Sequence, residues 1–314
     1  MADYKNNVTR YLVNFIGSLL LIIGVIAALY APLEIYCYYL FTEGGTFHYE
    51  GFGFGSLMFG NITLQIIGYY LIAIVFIPLG YGHLKKRIWI QNISLTLLRV
   101  WLIIGLPILP MVFFIFVSTK EPSITVGILA AIFCVLIYSL IPFLLIRFYK
   151  SERLTSVLIK LDGERSIIQN YSVSILVLIT LYAFYILVFH ELLLFRGIFP
   201  LFGKWLTELN GVMVISSSII FFVILILGTL NFKLWAWWAA ILYFVFFTIS
   251  LIATFLSSDL IQIITILKLP QKEIDAIRNV PLNGIHLSMF FGIPLFLTFC
   301  TIIISRKYFT KKLN

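Results

Sequence analysis

Three observations predict an all-α, polytopic integral membrane fold with eight transmembrane helices. Eight long stretches are nearly free of charge, the composition is 61% hydrophobic and 11% charged, and Lys and Arg gather between the stretches and at the C-terminus. A soluble domain carries about a quarter charged residues, so a water-solvated surface of ordinary size cannot be built from this chain. The net charge of +9 sits in short clusters that read as topology signals and lipid headgroup contacts rather than as a nucleic-acid footprint.

The stretches are residues 11–33, 51–84, 88–119, 122–146, 166–189, 209–232, 234–258 and 279–305. Each exceeds the roughly 18 apolar residues that mark a spanning helix. The first runs past the length of a signal-peptide core and has no small-residue cleavage site, so it is expected to be a permanent helix. After it, glycines at 44, 45, 51, 53, 55 and 60 alternate with Phe47, Phe52, Phe54 and Phe59. That pattern predicts a sharply bent loop whose aromatics sit at the membrane interface. The third stretch contains Arg99, and prolines 78, 107, 110, 142 and 294 fall inside spans.

Between the fourth and fifth stretches, Ser151 is a natural N-cap and Leu154, Val157, Leu158 and Leu161 share one helical face, with Asp162-Gly163 as the stop. A short interfacial helix is predicted over 151–165. Before the last stretch, Pro270 opens a second short helix, with Ile274 and Ile277 on one side and Lys272, Glu273, Asp275 and Arg278 toward water.

The positive-inside rule sets the expected orientation. With the N-terminus inside, fifteen Lys and Arg fall on the inner side and six on the outer, so both termini are expected on the cytoplasmic face of the cell membrane. Cys37, Cys134 and Cys300 stand singly, without the spacing of a disulfide framework or thiolate site.

Self-comparison suggests duplication. Leu79-Gly80 followed by Lys86-Arg87-Ile88-Trp89 is echoed by Leu227-Gly228 followed by Phe232-Lys233-Leu234-Trp235. Ile141-Pro142-Phe143 is echoed by Ile293-Pro294-Leu295, and Leu33-Glu34 by His190-Glu191. The expected organisation is a first four-span half at 1–150, the connector at 151–165 and a second half at 166–314. An even number of spans per half implies parallel repeats.

Few side chains can carry chemistry. Arg99 lies roughly 18 Å along its helix from Arg87 at about 1.5 Å per residue, where a charge costs roughly 2.5–3.5 kcal/mol. It is expected to contact an anion, to pair with carbonyls freed by the prolines, or to snorkel to the interface if the third span starts later. Glu34 and Glu191, one per half, are placed alike at the outer rim and could bind a cation or exchange protons; the alternative is that they mark where helices meet water. His190 and His286 are weak metal or bis-histidine haem candidates, unsupported by any H-E-x-x-H or C-x-x-C-H pattern. His83 reads as part of a basic surface patch with Lys85 to Arg87.

Walker, G-x-G-x-x-G and G-x-S-x-G patterns are missing from the sequence, so neither catalysis nor a cofactor is expected. The leading expectation is a permease or transporter membrane subunit, with Arg99, Glu34 and Glu191 as substrate or ion contacts. The alternative is a membrane anchor or assembly subunit holding other membrane or cytoplasmic subunits; a haem-bearing electron carrier is third. The lipid bilayer is the expected partner and nucleic acid is not.

Overall fold

A computed structural model describes residues 2–118, 124–162, 167–278, 280 and 282–310. Among the described residues the chain is all-α apart from one hairpin, and eight helical segments are long and apolar enough to cross a membrane: Asn7–Phe41, Leu57–Leu84, Trp89–Phe114, Thr125–Tyr149, Val173–Leu194, Glu208–Leu230, Leu234–Leu256 and Gly284–Thr310. It divides into two compact units, one formed by Met1–Leu98 with Leu144–Val173 and the other by Arg99–Phe143 with Ser174–Asn314.

In the first unit, α1 (Ala2–Phe41) continues through Pro32 beyond the predicted 33-residue limit. A proline inside a helix removes one donor and breaks a helix in water, but in hydrocarbon an opened backbone has no water to turn to, so the helix continues. Against α1 packs α2 (Leu57–Leu84). Their approach is set by missing side chains. A Cβ at Gly17 would lie 2.7 Å from the His83 Cβ and 3.0 Å from the Gly80 carbonyl oxygen, and one at Gly24 would lie 2.7 Å from Ile77. Small residues that let backbones meet are the usual glue between membrane helices, where burial of oil against oil contributes little.

The predicted glycine-rich loop is bent as expected: Gly44, Gly51, Gly53 and Gly55 all take positive φ. Its Phe52 and Phe54 gather around Phe59 of α2, at 5.6 and 4.9 Å between ring centroids, beside Tyr38 of α1. Between the spans, Ser151 caps α7 (Glu152–Leu161) by accepting from the Leu154 amide. Leu154, Val157 and Leu158 are buried as predicted, whereas Leu161 is exposed. Gly163, expected to stop this helix, lies outside the described residues.

In the second unit the third and fourth spans are interrupted where the sequence carries proline. Helix α3 (Trp89–Gly105) gives way to α4 (Ile108–Ser118) around Pro107. The fourth span passes from α5 (Ile124–Val135) through a π-helical turn at Leu136–Leu140 into α6 (Ile141–Tyr149). In that turn the Ile141 amide bonds five residues back to Leu136. The next donor in π register would be residue 142, a proline without an N–H, so the Ile137 carbonyl is orphaned. Trp101 fills the gap: its indole N–H donates to Ile137 O at 3.1 Å. Tyr138 stacks on the same indole at 5.6 Å, in space left by Gly105.

The rest of this unit is built on α8 (Val173–Leu194), α9 (Glu208–Leu230) and α10 (Leu234–Leu256), which bury an aromatic core of Tyr182, Tyr185, Phe189, Phe222, Phe244 and Phe247. Strands β1 (Phe199–Leu201) and β2 (Lys204–Leu206) form an antiparallel hairpin that sequence reading did not anticipate. Hydroxyls of α10 hold it. Ser250 accepts from the Phe202 amide and donates to the Pro200 carbonyl, both at 3.0 Å, while Thr254 accepts from Gly203 N.

Helices α11 (Leu260–Leu267) and α12 (Gln271–Arg278) lead to α13 (Gly284–Thr310). Of these, α12 is the helix expected after Pro270, but Glu273 is buried, not turned to water. Tyr185 reaches α13, where its hydroxyl donates to Thr298 Oγ1 at 2.9 Å and that hydroxyl in turn donates to Pro294 O.

One local structure occurs twice. Gly82 O accepts from Arg87 N and His83 O from Lys86 N, with Lys86 at φ +54°. Gly228 O accepts from Lys233 N and Thr229 O from Phe232 N, with Phe232 at φ +54°. Both are Schellman turns. In each, an indole seven residues after the glycine fills the place of its missing side chain, Trp89 over Gly82 and Trp235 over Gly228. Two residues further on, Gln91 donates to Tyr149 O at 2.7 Å and Trp237 to Ile302 O at 2.8 Å, each tying the start of one span to the end of the next. In these two turns the corresponding glycines are Gly82 and Gly228, whereas the sequence self-comparison aligns Gly80 with Gly228.

Candidate functional site

Glu191 occupies the last turn but one of α8. It is only 8% exposed, and its Oε2 is buried with no hydrogen-bond partner among the described residues. Just beyond it the helix ends in a turn: the Phe195 and Gly197 amides both return to Leu192 O, and Arg196 and Gly197 take positive φ. The nearest arginine in sequence is committed elsewhere, since Arg196 Nη2 pairs with Glu208 Oε1 at 2.9 Å. A buried carboxylate oxygen without a donor is costly unless a proton or cation meets it.

The other candidates are arranged differently. Glu34, in the first unit, is half-buried within α1 one turn before Cys37. Because α1 runs on to Phe41, Glu34 lies inside a continuous helix rather than at its end. Arg99 is half-buried in α3 of the second unit and, among the described residues, makes no hydrogen bond or ion pair, so the expected pairing with freed carbonyls is not found there. His190 is exposed and engages Ile186 O through Nδ1 at 2.7 Å. His286 stacks on Phe114 at 3.5 Å, and its Nδ1 accepts from the Asn283 amide at 3.3 Å. No group of three His, Cys, Asp or Glu placed to hold a metal occurs among the described residues.

A second polar centre, in the first unit, escaped sequence reading. His83 is not part of an exposed basic patch: it is 0% exposed. Its Nδ1 lies 2.7 Å from Leu79 O, and a carbonyl can only accept, so Nδ1 carries a proton. With the ring neutral, Nε2 is then an acceptor and the Tyr149 hydroxyl donates to it at 2.5 Å. Ser94, also buried, lies beside the same phenol.

Around this pair, Gln91 bridges Tyr149 O and Thr155 Oγ1 at 2.7 and 2.8 Å. Asp162 takes Arg87 Nη1 at 3.0 Å and the Ile88 amide at 2.7 Å. The result pins α2, α3, the end of α6 and α7 to one another through buried polar groups. One signal was available in the sequence: His83 shares a helical face with Gly80, three residues before it.

Comparison with family models, with curated proteins and with solved structures returns no match to this chain.

Proposed function

We propose that the chain is a transport-type membrane protein, a permease or the membrane subunit of a transporter, and that Glu191 is its contact for a proton or inorganic cation. The observation that carries this reading is the buried, unpartnered Glu191 Oε2 within an apolar spanning helix. A carboxylate kept there without a donor is a standing cost, and binding a cation or proton offsets it. The recurrence of the Schellman turn with its indole, and of the tie that follows it, supports the further reading of two tandem four-span halves in parallel orientation. In that arrangement Glu34 is the counterpart of Glu191, and Arg99 supplies an anion contact.

The test is flux into proteoliposomes, read for protons with a trapped pH-sensitive dye and for sodium or rubidium with radioactive tracers. Glu191→Gln should reduce flux by about tenfold or more while the protein remains folded, the loss of one charge-assisted contact. The double variant Glu34→Gln, Glu191→Gln should reduce it at least as far, and Arg99→Ala should alter anion dependence. Flux that is the same in Glu191→Gln and the parent chain refutes the assignment, and so does a parent chain that moves none of these ions.

A further inference from the structure

In the first unit, a pocket of about 370 Å³ opens between the first turns of α1, the turn after α2 and the end of α7, lined by Asn7, Arg10, Tyr11, Asn14, Lys86 and Leu161. Four of these, Asn7, Arg10, Tyr11 and Asn14, follow one another at i, i+3, i+4 and i+7, which makes a polar stripe one side-chain row wide along the start of α1.

Two atoms of the stripe lack partners. Arg10 Nε and Asn14 Oδ1 are buried from solvent with no hydrogen bond among the described residues. An orphaned donor and an orphaned acceptor one helical turn apart cost roughly 1–3 kcal/mol each, and because both atoms are closed off from solvent, a ligand relieves that cost only when the two side chains turn toward the pocket.

Charge narrows the ligand further. Lys86 projects from the left-handed position of its Schellman turn, and its ammonium makes a single long bond to Leu84 O at 3.5 Å, leaving two protons to offer. Among the described residues the lining thus has two cations and no carboxylate.

Position narrows it again. Arg10 precedes the apolar run of α1, Lys86 follows that of α2, and Tyr11 is 74% exposed as an interfacial aromatic would be. All lie where a spanning helix leaves hydrocarbon, at the depth of lipid phosphates.

We propose that this pocket binds a phosphate group esterified to a hydroxyl- or amine-bearing headgroup, with Arg10 and Lys86 on the phosphate oxygens and Asn14 Oδ1 accepting from the headgroup. The shared chemistry is phosphate; a membrane phospholipid and a soluble phosphate compound are its two sources.

The test uses the full chain extracted in nonionic detergent from vesicles of equal parts phosphatidylcholine and phosphatidylglycerol, with retained lipid counted by native mass spectrometry. A parallel arm measures thermal protection by millimolar inorganic phosphate. The parent chain should retain phosphatidylglycerol in preference to phosphatidylcholine, and the Arg10→Gln, Lys86→Gln double variant should lose about tenfold or more of it. Lys150→Gln, which removes a charge away from the pocket, should retain lipid like the parent, and Arg10→Lys should restore part of the loss.

Should the double variant fail to fold, Lys86→Gln alone provides the same reading, because its side chain leaves from a turn. Protection by inorganic phosphate that the variants abolish, without lipid retention, supports the site with a soluble ligand. Equal retention by variant and parent, equal retention of the two lipids, or no response to either phosphate source overturns the proposal.

Discussion

Removing the phenol oxygen of Tyr149 isolates the buried pair at the end of α2. Tyr149→Phe keeps the ring, its packing among Val13, Leu79 and Leu154, and the backbone carbonyl that Gln91 uses. What it takes away is the donor to His83 Nε2. In a soluble protein, stranding a buried acceptor costs about 1–3 kcal/mol. Between membrane helices the measured coupling is smaller, averaging about 0.6 and reaching about 1.7 kcal/mol, because the unfolded chain also finds partners in the bilayer.

Here His83 is 0% and Tyr149 2% exposed, so water does not replace the phenol, and the nearest candidate to relieve Nε2 is the unpartnered Ser94 hydroxyl, which the cycle should therefore carry as Ser94→Ala. The upper part of the membrane range applies. A double-mutant cycle of Tyr149→Phe with His83→Leu, by reversible unfolding in mixed micelles, should give a coupling of about 1–1.7 kcal/mol. Additivity of the two single costs to within about 0.3 kcal/mol would show that the hydrogen bond does not exist in the folded protein, and the tautomer argument would fall with it.

Two further perturbations separate geometry from composition. Gly17→Ala puts a methyl 2.7 Å from the His83 Cβ and should destabilise by about 1–3 kcal/mol as an overpacked contact, whereas Gly68→Ala, with nothing within 4 Å, should be neutral or slightly stabilising by helix propensity; paired thermal melts check both. Trp101→Phe preserves most of the stack on Tyr138 but leaves Ile137 O without its donor. Stability should fall by about 1–2 kcal/mol, and a fall matched by Trp101→Phe in a Pro142→Ala background would show that the indole does not compensate for the proline.

The eight spans were legible because apolar length is a property of residues adjacent in sequence. So were the Ser151 cap, the buried face of Leu154, Val157 and Leu158, and the positive φ of the loop glycines, each decided within a turn or two. What was not legible depended on partners far along the chain. His83 sits beside three cations in sequence and was read as one of their number; its burial depends on Gly17 making room and on Tyr149 arriving from another helix. The hairpin at 199–206 has only two three-residue strands, too short for a period, and owes its place to Ser250 and Thr254 of α10.

For the candidate site, the place of Glu191 near the C-terminal end of a span was readable from its distance along the helix. Its burial was not, since that depends on what the rest of the second unit places over it. Glu273 was misassigned for the same reason: a helical wheel ranks faces by residue type and cannot see an element packed on the polar one. Arg10 counted only toward the inner-side charge, and Asn14 falls unremarked inside the first apolar stretch.

The two partners of His83 become available at different moments in the life of the chain. The Leu79 carbonyl lies one turn away and is present as soon as α2 forms, and Gly17 has already been made when α2 emerges. Tyr149 comes 66 residues after His83, which at translation rates of about 5–20 residues per second is a delay of roughly 3–13 s. During that interval α1 and α2 can pair as a hairpin through their glycines while a ring nitrogen waits unsatisfied at the membrane boundary. Completion of the fourth span is therefore the step at which the first unit gains the donor to His83 Nε2 and the polar centre around it can close.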